Sequence, residues 1–203
     1  MARKLTAQKR EDLIRAAIKV FREKGYGEAS VKEIVDEAGA STATFYRYFK
    51  TKDEIYVEII MNFIAGFGDT WRNTYRMLSE NGGDREDTLR MVAGGFRAIL
   101  DYYRENRDVA QVVFRRIVPI DKRFEKQSEM LVDATMKQLE EIIGAIQSVG
   151  LAGNIEPRVG AAITIGAVFG VAVECVLQDE RDDVDELVDQ VMEVVTHGIA
   201  DSP

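Results

Sequence analysis

The segment Ser30 to Lys52, SVKEIVDEAGASTATFYRYFKTK, constrains this chain more than any other: it reads as two short helices joined by a tight turn. Ser30 can cap the first helix, Glu33 stands three residues on to complete a capping box, and Ala29 and Ile34 can staple its start. Val31, Ile34, Val35 and Ala38 recur at helical spacing as one apolar stripe, and Gly39 supplies the left-handed residue that stops the helix. Ser41 can cap a second helix, with Phe45 and Phe49 on one side and Thr42, Ala43, Tyr46 and Arg47 sharing another. That second face has little to bury. Small and hydroxyl side chains at Thr42, Ala43 and Thr44 let the first turn approach base edges, while a tyrosine hydroxyl, an arginine and a nearby lysine suit phosphate or guanine. This is the chemistry of a helix-turn-helix that enters a DNA groove. The bland alternative makes Tyr46, Tyr48 and Phe49 core aromatics of an ordinary helix pair; Phe49 fits it, but caps, turn glycine and basic flanks together favour DNA.

Charge is distributed in the same sense. Residues 1–52 carry twelve Lys/Arg against seven Asp/Glu, a net +5, so the remainder carries −13 within an overall −8. An isoelectric point near 4.9 argues against nucleic acid for the chain as an average, yet a basic head on an acidic body concentrates the attraction where the reading helix sits. Part of the basicity belongs to helix solvation, with Lys19 and Glu23 placed to pair on the first helix. Arg3 and Lys4 suit either an arm on the DNA backbone or minor groove, or a frayed terminus.

The segment and the chain order around it resemble the tetracycline-repressor family of bacterial transcriptional regulators over roughly Thr6 to Phe63. The family pattern of a long first helix, a helix-turn-helix, a Tyr-x-x-Phe ending and a Lys opening the fourth helix matches Leu13 to Phe21, Ser30 to Phe49, and Lys52. Tyr46, Phe49 and Lys52 are the sharpest matches. The resemblance implies that Tyr46, Tyr48 and Lys52 hold phosphates, and that Lys32, Thr42, Ala43 and Arg47 lie where base or groove contacts are made. A histidine is common in the family where this sequence has Tyr48. The expected fold is all-α: a three-helix DNA-binding head at 1–52 and a helical ligand-binding and dimerisation body at 53–203.

Within the body, helices are expected at Lys52 to Glu80, Arg85 to Glu105, Asp108 to Ile117 and Asp121 to Val149, the first opened by its own capping box, Thr51 and Glu54. Val159 to Val173 runs 15 residues without a charge; it reads as too short for a membrane span and is soon interrupted by Glu174. Ala162, Gly166 and Gly170 form one small ridge on it, which suits a tight helical interface. The resemblance places a homodimer contact on the last two helices, about Glu156 to Gln178 and Val184 to Ala200, with Asp183 as a cap. Phe63, Phe67 and Trp71 at four-residue spacing, with Phe96, Tyr103 and Phe114, are the candidate lining of an apolar effector pocket; each of them singly could equally fill a core. Arg97, Arg115 or Arg116 could meet an anionic end, which favours a lipid-like acid or acyl thioester over a cationic drug.

Catalysis finds little support. The one histidine, His197, has no partner cysteine nearby, neither a P-loop nor a G-x-S-x-G occurs, and a His-rich metal site is impossible. No enzyme activity, metal or cofactor is expected. A start without an apolar signal region and a single cysteine, Cys175, favour a reducing cytoplasm and no membrane partner. The reading is therefore a homodimeric repressor that binds double-stranded operator DNA and responds to a small effector. The alternative is a helical ligand carrier or partner-binding module without specific DNA recognition.

Overall fold

The computed structural model describes the backbone of residues 2–81, 84–114, 122–150, 153–178 and 181–197, and the side chains of 7–80, 84–113, 133–150, 153–178 and 181–195. The described residues form helices and contain no strand. In chain order the helices are α1 (Ala2–Lys24), α2 (Val31–Glu37), α3 (Thr42–Tyr48), α4 (Lys52–Asn81), α5 (Arg85–Glu105), α6 (Arg107–Phe114), α7 (Lys122–Ser148), α8 (Pro157–Val171) and α9 (Val184–His197), with a π-helical segment, Ala172–Gln178, continuing α8. The backbone is already helical at Arg3 and Lys4, so these two residues open α1 rather than form an extended arm.

Two compact units result. The first comprises residues 1–64 together with 106–126. Leu13, Ala17, Val20 and Phe21 of α1 meet Ile34 and Val35 of α2, Phe45 and Phe49 at α3, and Ile55, Tyr56, Ile59 and Ile60 of α4. Packing thus carries the head past the expected division after Lys52 as far as Ile64. Three helices of which two have only seven residues cannot enclose Phe45 and Phe49 by themselves; the apolar stripe of early α4 closes that core. α6 also joins this unit, with Val112 buried in its core and Asp108 ion-paired to Arg22 of α1.

The second unit comprises residues 65–105 and 127–203. α5 contributes the buried stripe Thr88, Gly95, Phe96, Ile99, Leu100 and Tyr103. The backbones of α4 and α5 approach closely: a Cβ on Gly95 would lie 2.6 Å from Cγ2 of Thr74, and one on Gly66 would collide with the Tyr102 hydroxyl. Pro157 opens α8 at its first turn, where its missing N–H is harmless. Two expectations for the C-terminal helices change. The α-helical hydrogen bonding expected to Gln178 gives way to π-helix from Ala172, with Ala172, Val176 and Leu177 buried. Asp183 gives its carboxylate to Arg181 instead of capping α9 through its side chain, and that pair holds the acid well below the usual carboxylate range.

Length no longer sets Pro157–Gln178 apart from a membrane span. Its 22 helical residues reach a mean hydropathy of 2.1 with 28% of the apolar window buried, so by length and composition it is long and apolar enough to cross a bilayer. One stripe of it, Gly160, Ala161, Val168, Ala172, Val176 and Leu177, is packed within the unit. Val159, Ile163 and Phe169 remain exposed, Ile163 by 62%.

Candidate nucleic-acid interface

The two helices of the motif are built as their caps dictate. The Glu33 amide donates to Ser30 Oγ at 3.3 Å, and the Ser30 amide donates back to Glu33 Oε2 at 2.9 Å. Gly39 turns the chain at φ +57°, a conformation that costs L side chains, and the Thr44 amide donates to Ser41 Oγ at 3.1 Å to start α3. Phe45 and Phe49 are wholly buried, which fixes the rotation of α3 and leaves Thr42, Ala43, Tyr46 and Arg47 exposed. Tyr46 is the most open of the aromatics, at 55%. Thr44 stands apart from that face: it is half-buried, and its hydroxyl lies 2.9 Å from Ser41 Oγ within the cap. Tyr48 is also half-buried; its hydroxyl accepts from Arg47 at 3.1 Å, and the guanidinium lies 5.0 Å from its ring centre.

Ion pairs sort the head's positive charge. Arg10 is paired with Glu58, Arg15 with Asp12, Lys19 with Glu37 at 2.7 Å, Arg22 with Asp108, and Lys24 with Glu33. Lys19 therefore crosses to α2 for its main partner rather than using Glu23 four residues along its own helix. Among the described residues of the head, Lys9 of α1 and Lys32, Arg47 and Lys50 of the motif are exposed without a carboxylate partner. The uncompensated charge of the motif therefore sits on and beside α3.

Lys52, expected at a phosphate, is engaged by its own chain in the DNA-free protein. Its Nζ donates to the carbonyls of Tyr26 and Ala29, both at 2.7 Å, and lies 4.4 Å from the centre of the Tyr26 ring. Burial pushes this ammonium below the usual lysine pKa. The expected Thr51 and Glu54 capping box forms only in part: the Glu54 amide donates to Thr51 Oγ1 at 3.1 Å, while the Glu54 carboxylate accepts from the Lys50 amide at 2.6 Å.

The aromatics expected around an effector pack mainly against one another. Phe67 meets Trp71 and Tyr103 edge-on at 6.1 and 5.9 Å, and Trp71 meets Phe96 at 6.4 Å. Trp71, Phe96 and Tyr103 are buried. Phe63 is buried too but belongs to the first unit, and the side chain of Phe114 lies outside the described residues, as do Arg115 and Arg116. A cavity of about 490 Å³ in the second unit is bounded by residues that include Thr70, Thr74 and Met77 of α4 and Met91, Gly94 and Ala98 of α5. Four-residue spacing carries residues 63, 67 and 71 along one helix face, and the cavity opens beside another. Arg97, expected to meet an anionic ligand end, is paired with Asp185.

A capped turn, a buried aromatic pair and an outward helix face with uncompensated cations define the chain as a helix-turn-helix DNA-binding transcriptional regulator. Residues 13–59, within the head, match the family described as bacterial regulatory proteins, tetR family. The uncharacterised HTH-type transcriptional regulator YdgC of Bacillus subtilis is 28% identical over 141 residues, 70% of either chain. The fatty acid degradation regulator FadR of Bacillus halodurans superposes with a TM-score of 0.78 at 19% identity, covering 96% of this chain and 97% of that one. FadR of Bacillus subtilis, solved in complex with stearoyl-CoA, gives a TM-score of 0.72 at 20% identity over 94% and 99%.

Proposed function

We propose that the protein is a homodimeric cytoplasmic repressor that holds a palindromic operator through α3 and releases it when an acyl thioester or related lipid-like acid binds the body. The observation that carries the reading is the outward face of α3, where Thr42, Ala43, Tyr46 and Arg47 stand over a buried Phe45 and Phe49 and beside the unpaired Lys32 and Lys50. Thr42 and Ala43 are small enough for base edges to approach, Arg47 is the guanine-reading candidate, and Tyr46, Tyr48, Lys32 and Lys50 suit phosphates.

A second copy of the chain is the proposed cover for the open side of α8 and α9. Val159, Ile163, Phe169, Val194 and Val195 are exposed there, and a Cβ on Gly166 or Gly170 would meet nothing within 4 Å of its own chain. The effector class is supported by the fatty-acid regulators among the structural neighbours, one of them solved with stearoyl-CoA. An effector that favours the DNA-free form tenfold shifts the equilibrium by about 1.4 kcal/mol.

The test begins by selecting a duplex from a random pool with the full chain. Binding to that duplex and to a scrambled copy is then compared at several salt concentrations, with and without stearoyl-CoA or a cationic dye. Preference for the selected duplex and its loss with stearoyl-CoA support the proposal. Equal binding to both duplexes favours the carrier or partner-binding alternative, and release by the dye alone overturns the effector class.

A further inference from the structure

The junction between α1 and α2 is held from outside itself. α1 ends at Lys24, Gly25 turns at φ +81°, and the chain must travel through Ala29 before Ser30 caps α2. Carbonyls in such a connection lack helical partners and need donors from elsewhere. Two of them, on Tyr26 and Ala29, receive the single ammonium of Lys52, the first residue of α4. The same ammonium faces the Tyr26 ring, which also packs in tilted geometry against Phe21 and Tyr56, with ring centres 5.7 and 4.3 Å apart. The next residue of α4, Asp53, accepts the hydrogen bond of the Tyr26 hydroxyl. Adjacent residues of α4 thus grip Tyr26 at its carbonyl, its ring and its hydroxyl.

We propose that Lys52 is a positioning residue for DNA reading: it fastens the α1–α2 connection to the start of α4 and so aims α2 and α3, instead of neutralising a DNA phosphate. Turning its amine to a phosphate would give up two charge-assisted hydrogen bonds and the contact with the ring face. Ala29 immediately precedes the Ser30 cap, so the position of its carbonyl sets where α2 begins. Lys50 and Lys32, exposed and unpaired, are left to meet phosphates. The inference rests on the DNA-binding reading for its consequence, while the clamp itself is a property of the protein without DNA.

Salt dependence separates the two roles, because each phosphate contact contributes about −0.9 to the slope of log K against log salt. Lys52→Met, Lys52→Arg and Lys50→Met are compared with the unaltered chain on the duplex that the unaltered chain selects. Lys52→Met is expected to weaken binding about tenfold with the slope unchanged and to speed hydrogen exchange of amides 26–31 in the free protein. Lys52→Arg, which keeps the charge but spreads it over a planar group, is expected to weaken binding as well, again at constant slope. Lys50→Met is the control that makes the slope shallower. A shallower slope in Lys52→Met with full affinity in Lys52→Arg overturns the proposal in favour of a phosphate contact, and so does unchanged exchange of amides 26–31 in both Lys52 variants. If Lys52→Met does not fold, Lys52→Arg and the exchange measurement decide. If no duplex is selected, the regulator reading fails by itself, and exchange in the free protein still tests the clamp.

Discussion

Turn glycines shape the head and close-packed glycines shape the helices of the body, which also has a turn glycine, Gly150 at φ +71°. In the head, Gly25 and Gly39 stand between helices at φ +81° and +57°, and neither would bring a Cβ within 4 Å of another residue. Conformation is their use. In the body, Gly66, Gly95 and Gly160 lie inside helices or at a helix start, and an added Cβ would press on Tyr102, Thr74, or Ile143 and Ile155. Space is their use. The head is thus shaped by turns that local chemistry specifies, and the body by surfaces that must fit across long sequence separations. Gly166 and Gly170 of α8 match neither pattern, being helical and in open space.

The sharpest way to break this contrast lies in neighbouring residues of the head. Phe45→Ala removes a ring with no exposure and is expected to destabilise the head by about 3–5 kcal/mol, read by urea unfolding. Tyr46→Ala, one residue on, is expected to change stability by no more than about 0.5 kcal/mol while weakening DNA binding. Comparable losses of stability in the two variants would show that α3 does not present the face described.

Gly95 and Gly94 make the corresponding pair in the body. Gly95→Val is expected to cost about 1–3 kcal/mol by overpacking against Thr74. Gly94→Ala has open space around its Cβ and is expected to stabilise α5 by about 0.5–1 kcal/mol. Thermal unfolding of both variants checks this; a stable Gly95→Val would remove the argument for close approach of α4 and α5.

Gly170→Leu tests the third condition. It is expected to weaken self-association about tenfold or more with little loss of helix content, since its own chain offers no obstacle. Sedimentation across micromolar concentrations measures the change. A chain that is monomeric before substitution rules out the proposed dimer, and a folding defect without a change in association points to packing inside the chain.

The smallest effect concerns the α2 cap. The Lys24 ammonium, followed by hydrogen bonds from Ser30, lowers the Glu33 carboxyl to a pKa of about 2 from an ordinary 4.5. A carboxyl depressed on folding contributes stability that is complete above its unfolded pKa and is lost as pH falls through the folded one. Stability should therefore decline between about pH 4.5 and 2, and Glu33→Gln should remove part of that decline in acid titrations followed by circular dichroism. An identical pH profile in the variant would mean that the box is not made in solution.

Legibility followed the range of the forces involved. Ser30, Glu33, Gly39 and Ser41 act within three or four residues, so α2, its turn and α3 could be written down from spacing alone. The Phe45/Phe49 side opposite Thr42, Ala43, Tyr46 and Arg47 followed from helical periodicity. Nothing local reports that α6, more than fifty residues beyond Lys52, supplies Val112 to the head core and Asp108 to Arg22. The aromatic candidates show the same limit: periodicity placed Phe67 and Trp71 on one face, but their neighbours across the unit made that face a packed cluster.

Amino-acid order by itself determined an all-helical chain, a capped helix-turn-helix and the face of α3 turned outward, because caps, turn glycines and a 3.6-residue period act along the backbone. Tertiary structure decided which cations remain unpaired around that face and that the Lys52 ammonium is taken by the carbonyls of Tyr26 and Ala29. Those outcomes depend on which distant groups come within a few ångströms. A charged side chain will satisfy itself with a carboxylate or carbonyl that folding brings near, and sequence spacing does not record that distance.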